Sequence, residues 1–168
     1  MVLHESLRLY PPVPVMVREA QQDLQFGDFH VPKGLHTWMP ISKLHQDPRI
    51  WGLDAHEFNP QRFADGVSGS CPQPQVFMPF GVGPRNCLGQ NFALAELKIL
   101  FALILSNFSF SLSPDYRHSP VQKIFVKPKY GVKLLFKKLW ANITHALVLW
   151  IVRINYLNSL THFLNNFE

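Results

Sequence analysis

A short segment rich in glycine and proline, residues 79–89, constrains this chain more than any other part of its sequence. Its eleven residues include three glycines and two prolines, a composition typical of a rigid turn. The following stretch, residues 90–108, carries only two charged side chains, Glu96 and Lys98. We predict that it forms a helix buried on nearly all sides. Cys87 therefore lies where a tight loop enters the N-terminus of an apolar helix.

The position of Cys87 favours a thiolate over a thiol. Unpaired backbone N–H groups and the helix dipole both stabilise negative charge at a helix N-terminus. Arg85, two residues earlier, adds positive charge and could pair with a carboxylate. Such a thiolate in apolar surroundings suits an iron porphyrin bearing propionates. The alternative is a buried structural cysteine in a chance glycine loop, and we adopt that interpretation for Cys71.

The spacing Phe80-x-x-Gly83-x-Arg85-x-Cys87-x-Gly89 resembles the haem-binding signature of the cytochrome P-450 family at every defined position. The resemblance implies that Cys87 is the axial ligand of the haem iron and that Arg85 pairs with a propionate. It also implies that Phe80 packs beside the thiolate and that Gly83 permits the tight turn. Gly89 would let the helix pass close under the porphyrin, where a Cβ atom would collide.

Two further elements resemble the family and stand in its order. Glu5 and Arg8 lie three residues apart on one helical face, which alone would be a commonplace surface pair. The later segment 58–63 resembles the family's Pro-x-Arg-Phe element, and the resemblance implies a buried ionic triad of Glu5, Arg8 and Arg62. Arg18 resembles the arginine that the family directs to the second propionate. Its alternative interpretation is an ordinary cation at a strand edge.

The fold class predicted is mainly α with small β-sheets (α+β), because prolines interrupt the chain with short extended segments. The predicted elements are a helix at 1–10, strands at 13–17, 24–29, 35–41 and 131–136, and a turn at 31–34. An ordered loop is expected at 47–70, anchored by Trp51, Phe58 and Phe63. The resemblance implies the C-terminal haem-binding part of a cytochrome P-450 domain at 1–138, followed by a tail, 139–168, without a family counterpart.

The chain starts in helical sequence without a capping residue, which we interpret as the middle of a longer protein. The resemblance implies that an N-terminal membrane anchor and the acid-Thr helix that delivers protons belong to missing upstream sequence. Within the tail, the apolar core 146–152 is too short to span a membrane.

Other classes of protein fit the sequence poorly. The net charge of +5 is spread along the chain without a stripe of basic and aromatic residues, which argues against nucleic-acid binding. The two cysteines do not form a close pair of the zinc or disulfide type. The histidines that lack metal-binding spacing are interpreted as surface or packing residues: His4, His30, His36, His45 and His56.

The resemblance implies a haem-thiolate monooxygenase, most similar to plant members that oxidise gibberellins, brassinosteroids and cytokinins. The implied cofactors are haem and NADPH, the latter acting through a reductase partner. Pro14, Val15 and Met16 would line the pocket of a hydrophobic substrate, and the complete protein would sit on the cytosolic face of the endoplasmic reticulum membrane. Two alternatives remain: a truncated, non-catalytic product, or a membrane-associated interaction fragment that uses the tail.

Overall fold

The computed structural model describes residues 1–122 and 125–139. It contains helices and small two-stranded sheets, which confirms the predicted class. The helices are α1 Val2–Leu9, α2 Ile41–Leu44, α3 Pro48–Trp51 and α4 Gln90–Asn107. The strands are β1 Met16–Glu19, β2 Leu24–Phe26, β3 Phe29–Val31, β4 His36–Met39, β5 Phe108–Leu112, β6 Pro120–Gln122, β7 Val126–Pro128 and β8 Leu134–Lys138. The predicted tail lies outside the described residues except for Leu139.

Contacts divide the chain into two compact units. The first unit holds residues 1–86 together with 120–127, and the second holds 87–119 together with the described residues from 128 onward. The boundary falls between Asn86 and Cys87, inside the glycine-rich loop. Each unit is therefore described by itself.

Helix α1 presents a buried face to the first unit. Glu5, Arg8 and Leu9 are buried at the i, i+3, i+4 spacing that lines one side of a helix, and Leu7 is buried as well. The predicted helix at 1–10 is confirmed. The helix ends at Leu9, and its C-cap Tyr10 donates its N–H to the Ser6 carbonyl at 2.9 Å. The prolines that follow cannot continue the hydrogen-bond pattern.

Strands β1 and β4 pair antiparallel, with Met16 opposite Met39 and Arg18 opposite Thr37. The strand predicted at 13–17 begins only at Met16, since proline has no N–H to give to a ladder. The turn predicted at 31–34 is present. Gly34 takes a φ of +84° there, a conformation that glycine adopts without strain.

The prediction of one strand at 24–29 is wrong, because these residues form the hairpin β2–β3. Gly27 turns the chain with a φ of +58°, and Phe26 lies opposite Phe29. The Asp23 carboxylate accepts the Lys33 N–H at 2.8 Å and closes the base of the hairpin. A Gly-Asp pair between two apolar runs is a turn signal, which the prediction overlooked.

The core of the first unit is a cluster of Trp51, Ala55 and Phe63, against which Phe77 and Cys71 pack. The Trp51 indole N–H donates to the Leu44 carbonyl at 3.1 Å, which satisfies its polar end. Two of the three predicted anchors of the 47–70 loop are thus buried. The prediction for the third anchor, Phe58, is wrong, because this residue is 53% exposed.

The second unit consists of α4 and the antiparallel pair β5–β8, in which Phe110 lies opposite Phe136. The predicted helix after the glycine-rich loop is confirmed, but its predicted burial is wrong. No residue of α4 is buried, and Leu105 is 53% exposed. An apolar composition indicates that a helix surface is more stable when it is buried. It does not show that other residues of this chain bury it. Among the described residues, no helix is both long and apolar enough to cross a membrane.

Candidate functional site

The loop that leads to Cys87 is shaped by two glycines of the first unit. Gly81 has a φ of +82° and Gly83 a φ of +72°, both in the region that other residues rarely adopt. Residues Gly83–Arg85 form a one-turn 3-10 helix, and the Asn86 N–H closes it by donating to the Gly83 carbonyl at 2.9 Å. The turn is therefore built by backbone conformation.

Cys87 opens the second unit as an exposed free thiol. Its carbonyl accepts the Gln90 N–H at 3.3 Å, which starts the first turn of α4. Gly89 is the N-cap of that helix, and its φ of −84° suits any residue. A Cβ atom added to Gly89 would point toward the Cys87 sulfur, 4.0 Å away.

The structure places Phe80 and Arg85 in the first unit, on the same loop as Gly83. The Phe80 side chain is half-buried, whereas Arg85 is exposed. An exposed guanidinium remains available to an anionic group, since nothing has removed it from solvent.

Arg18 lies on β1 of the first unit. One guanidinium nitrogen, Nη1, donates to the Val17 carbonyl at 3.1 Å. The other, Nη2, is buried and has no hydrogen-bond partner among the described residues. A buried charged donor without an acceptor is unfavourable, so this nitrogen suits an anionic acceptor such as a carboxylate.

Glu5 and Arg8 of α1 form a two-point ion pair. Arg8 donates through Nε to Glu5 Oε2 at 2.8 Å and through Nη2 to Glu5 Oε1 at 2.7 Å. Both side chains are fully buried. Arg8 also donates to the carbonyls of His45 at 2.8 Å, Ala55 at 2.6 Å and Glu57 at 3.0 Å. These hydrogen bonds hold the segment 45–57 against α1.

Arg62 completes the cluster from the 3-10 turn Pro60–Phe63. Its Nε lies 3.5 Å from Glu5 Oε1, within ion-pair distance but without the geometry of a hydrogen bond. Its two terminal nitrogens donate to the Trp51 carbonyl at 2.7 Å and to the Asp54 carbonyl at 2.6 Å. The structure thus brings Glu5, Arg8 and Arg62 together.

Two further residues, Asp54 and Asn59, contact this cluster in ways that the sequence analysis did not predict. Asp54 lies 2.6 Å from Arg62 Nη2, and the hydrogen bond from Arg62 lowers the pKa of its carboxyl, helped by Asn59. The Asn59 N–H donates to Glu5 Oε1 at 2.8 Å. Asn59 before Pro60 is a recognisable turn-starting signal, whereas the sequence around Asp54 carried no signal of this contact.

His45 was interpreted as a surface or packing residue, and the structure shows that it is fully buried. Its Nδ1 lies 3.2 Å from the Arg8 carbonyl, and its Nε2 accepts the Met78 N–H at 3.0 Å. Burial lowers the pKa of His45 to about 4, although the hydrogen bond to the Arg8 carbonyl acts in the opposite direction. A lone histidine carries no sequence signal for such a position.

Each unit contains residues whose chemistry suits a haem. The exposed Cys87 thiol supplies the type of sulfur ligand that a haem iron takes, and Gly89 leaves the space beside that sulfur clear of a side chain. The unpartnered nitrogen of Arg18 matches an acidic substituent. Within 1–122 and 125–139, no three His, Cys, Asp or Glu side chains come together as a separate metal site.

Known proteins resemble the chain in sequence and in structure. The sequence profile of the family described as cytochrome P450 matches residues 1–136. Cytochrome P450 714A2 of Arabidopsis thaliana is 53% identical over 132 residues, which are 79% of this chain and 25% of that protein. The cytokinin hydroxylase of Arabidopsis thaliana is 49% identical over 138 residues, which are 82% of this chain and 26% of that protein.

A solved structure, the retinoic acid-bound cyanobacterial CYP120A1, superposes with a TM-score of 0.74 at 37% identity. The match covers 82% of this chain and 32% of that one. The chain spans about a quarter of the length of the curated relatives it matches.

Proposed function

Because the chain belongs to the cytochrome P450 family, we propose that its protein is a haem-thiolate monooxygenase with Cys87 as the iron ligand. The observation that carries this proposal is an exposed thiol at the start of α4, after a loop with the spacing Phe80-x-x-Gly83-x-Arg85-x-Cys87. When bound, the haem would supply the oxygen chemistry, and thiolate ligation favours cleavage of the O–O bond.

The other residues of the candidate site would hold the cofactor. Arg18 and Arg85 would each pair with a propionate, since a guanidinium and a carboxylate form charge-assisted hydrogen bonds. The buried, unpartnered nitrogen of Arg18 supports its share of this role. Phe80 would pack beside the sulfur and limit its access to water, and Gly89 would leave room for the porphyrin. Glu5, Arg8 and Arg62 would act from a distance, by fixing the fold that carries the loop.

The proposed substrate is a hydrophobic small molecule, a plant hormone or a terpenoid. Two observations support this class. One relative is a cytokinin hydroxylase, and residues 14–16, which lead into β1, are the apolar Pro-Val-Met. Electrons would come from NADPH through a reductase. The proposed location is the cytosolic face of the endoplasmic reticulum membrane, reached through an N-terminal anchor in the complete protein.

Carbon monoxide spectroscopy on the complete protein tests the iron ligand. With dithionite and carbon monoxide, we expect the red-shifted Soret band that thiolate-ligated haem produces. Cys87→Ser should abolish this band, because a serine hydroxyl ionises much less readily and is a poorer donor to the iron. Cys71→Ser is the matched control and should keep it, since Cys71 packs against the Trp51 cluster. A band that survives in Cys87→Ser would refute the assignment.

A second candidate is a chain that does not catalyse, and the observation that favours it is the span of about a quarter of the relatives' length. A turnover assay of the purified 168-residue chain with reductase, NADPH and haem distinguishes the monooxygenase from the non-catalytic alternative. Product formation above a blank without protein would exclude the non-catalytic alternative for this chain. Product formation only by the complete protein would support it.

A further inference from the structure

We propose that His45 is a positioning residue: as the neutral tautomer protonated at Nδ1, it joins the Glu5–Arg8 cluster to the segment that leads to Cys87. This inference rests on the proposed function only where it concerns the haem ligand. The link itself is built within the first unit.

The first half of the link is a reciprocal pair of contacts between His45 and Arg8. The Arg8 guanidinium donates to the His45 carbonyl at 2.8 Å, and the His45 ring nitrogen Nδ1 lies 3.2 Å from the Arg8 carbonyl. A carbonyl oxygen only accepts, so Nδ1 must carry the proton in this contact. Each residue thus uses its side chain to hold the other's backbone.

The second half of the link is the contact with Met78. The Met78 N–H donates to His45 Nε2 at 3.0 Å, so Nε2 must offer a lone pair. One tautomer satisfies both contacts, and a doubly protonated ring would place two N–H groups against each other. The buried ring is therefore specified by its two partners.

Aromatic neighbours fix the orientation of the ring. Phe77 stacks on His45 with centroids 5.5 Å apart and an interplanar angle of 28°. Trp51 meets His45 edge-on with centroids 6.3 Å apart. The burial that lowers the pKa of His45 to about 4 keeps the ring neutral at ordinary pH, as the two hydrogen bonds require.

The link continues from Met78 into the loop of the candidate site. The Met78 carbonyl accepts the Gly81 N–H at 3.0 Å, and Gly81 begins the turns that precede Cys87. A chain of hydrogen bonds therefore runs from the Arg8 carbonyl through His45 and Met78 to Gly81. Because both ring nitrogens are engaged and the side chain is fully buried, His45 acts through position and not by contacting substrate.

The experiment compares two variants of His45 in the complete protein. His45→Phe keeps the ring volume but removes both hydrogen bonds, whereas His45→Gln keeps an amide donor and acceptor. We expect amide hydrogen exchange over residues 77–81 to quicken at least tenfold in His45→Phe. The thiolate Soret band of the reduced carbon monoxide complex should fall at least tenfold, with partial recovery of both readouts in His45→Gln. The exposed His30 provides the control His30→Phe, which should change neither.

Each outcome decides a separate point. Unchanged exchange over 77–81 in His45→Phe would overturn the link to Met78. Quickened exchange with a full thiolate band would overturn its effect on Cys87. An absent thiolate band in the unmodified protein would refute the proposed function, while the exchange measurement would still test the link. If His45→Phe does not fold, imidazole nitrogen NMR of the unmodified protein decides: a proton on Nε2 instead of Nδ1 would overturn the inference.

Discussion

Glu5 is a fully buried carboxylate, and a charge in such a place is tolerated only when opposite charges and hydrogen-bond donors surround it. Arg8 gives it two hydrogen bonds, Asn59 gives one, and the Arg62 Nε lies within ion-pair distance. Arg62 also neutralises Asp54. Removal of either arginine therefore leaves negative charge, and several carbonyl oxygens, without their partners.

Substitution of Arg62 tests this dependence. Arg62→Ala should lower the free energy of unfolding by about 3–5 kcal/mol, the range for breaking a buried ion pair, and should prevent haem incorporation in the complete protein. Urea unfolding and the ratio of haem to protein measure the two effects. The unfolding free energy of Arg62→Lys should lie between those of the unmodified protein and Arg62→Ala. Lysine keeps the charge, but its single ammonium cannot donate to the Trp51 and Asp54 carbonyls as the two terminal nitrogens of arginine do.

Arg49 offers a matched control for Arg62. It also pairs with an aspartate, Asp47, at 2.6 Å, but its side chain is 88% exposed. Solvent screens such a pair, so Arg49→Ala should change the unfolding free energy far less than Arg62→Ala. Equal losses in the two variants, or normal haem content in Arg62→Ala, would contradict the role assigned to the buried cluster.

The lowered pKa of His45 predicts a loss of stability in weak acid. The pKa falls from 6.5 to about 4 because of burial, so between these values the unfolded chain binds a proton that the folded chain does not. The contribution of neutral His45 to the free energy of unfolding is complete above pH ~6.5. It is lost as the pH falls toward 4, by roughly 3 kcal/mol in total. Urea unfolding at a series of pH values should show this slope.

His45→Gln should flatten the slope, since glutamine does not titrate. The lowered pKa values of Asp47 and Asp54 act mainly below their ordinary value of 3.8 and contribute to the slope only at the acidic end of the His45 window, below about pH 5. A slope between pH 6.5 and 4 that persists unchanged in His45→Gln would show that another group causes it.

Single residues differed in how far the sequence could identify them. Roles were predicted for Cys87 and Arg62 because their spacing resembles a family signature. His45 was not, because its position depends on contacts with Arg8 and Met78, which are 37 and 33 residues away. Such contacts arise only once the chain is folded, and no local pattern encodes them.

At the scale of elements, local chemistry decided which predictions were accurate. The helix expected at 90–108 occurs as Gln90–Asn107, because a glycine loop followed by a long run of helix formers leaves few alternatives. The strand expected at 24–29 is a hairpin instead. Alternation of apolar residues continues through a tight turn, so periodicity alone did not reveal the break at Gly27.

Gly89, the N-cap of α4, tests how this element serves the site. Gly89→Ala should change the free energy of unfolding by less than about 1 kcal/mol, since its backbone conformation suits alanine and the added Cβ would lie 4.0 Å from the Cys87 sulfur. The complete protein should nevertheless lose most of its haem, because the methyl group would occupy the space beside that sulfur. Haem-to-protein ratios and urea unfolding measure the two effects.

Gly27→Ala should give the opposite result. Its φ of +58° would strain alanine by about 1 kcal/mol, but the hairpin turn lies outside the candidate site, so haem content should stay normal. Normal haem in Gly89→Ala would remove the argument that this glycine makes room for the porphyrin.

At the scale of the whole molecule, α4 raises a question of surface. None of its residues is buried, and its exposed apolar side chains include Phe92, Leu100, Phe101, Ile104 and Leu105. Exposed apolar surface promotes association in water. We expect the 168-residue chain to self-associate at micromolar concentration, as measured by analytical ultracentrifugation.

Leu105→Lys should reduce this self-association, because it places a charge among the exposed apolar side chains of α4. Asn91→Lys is the control: it adds the same charge to an exposed position of the same helix but removes no apolar surface. In the complete protein we expect the remainder of the P450 domain to cover α4. Leu105→Lys would then bury an unpaired charge and lower the unfolding temperature, and Asn91→Lys would lower it less. Only Leu105→Lys removes apolar surface from α4. Equal self-association of the unmodified chain and both variants would therefore show that α4 is not the associating surface.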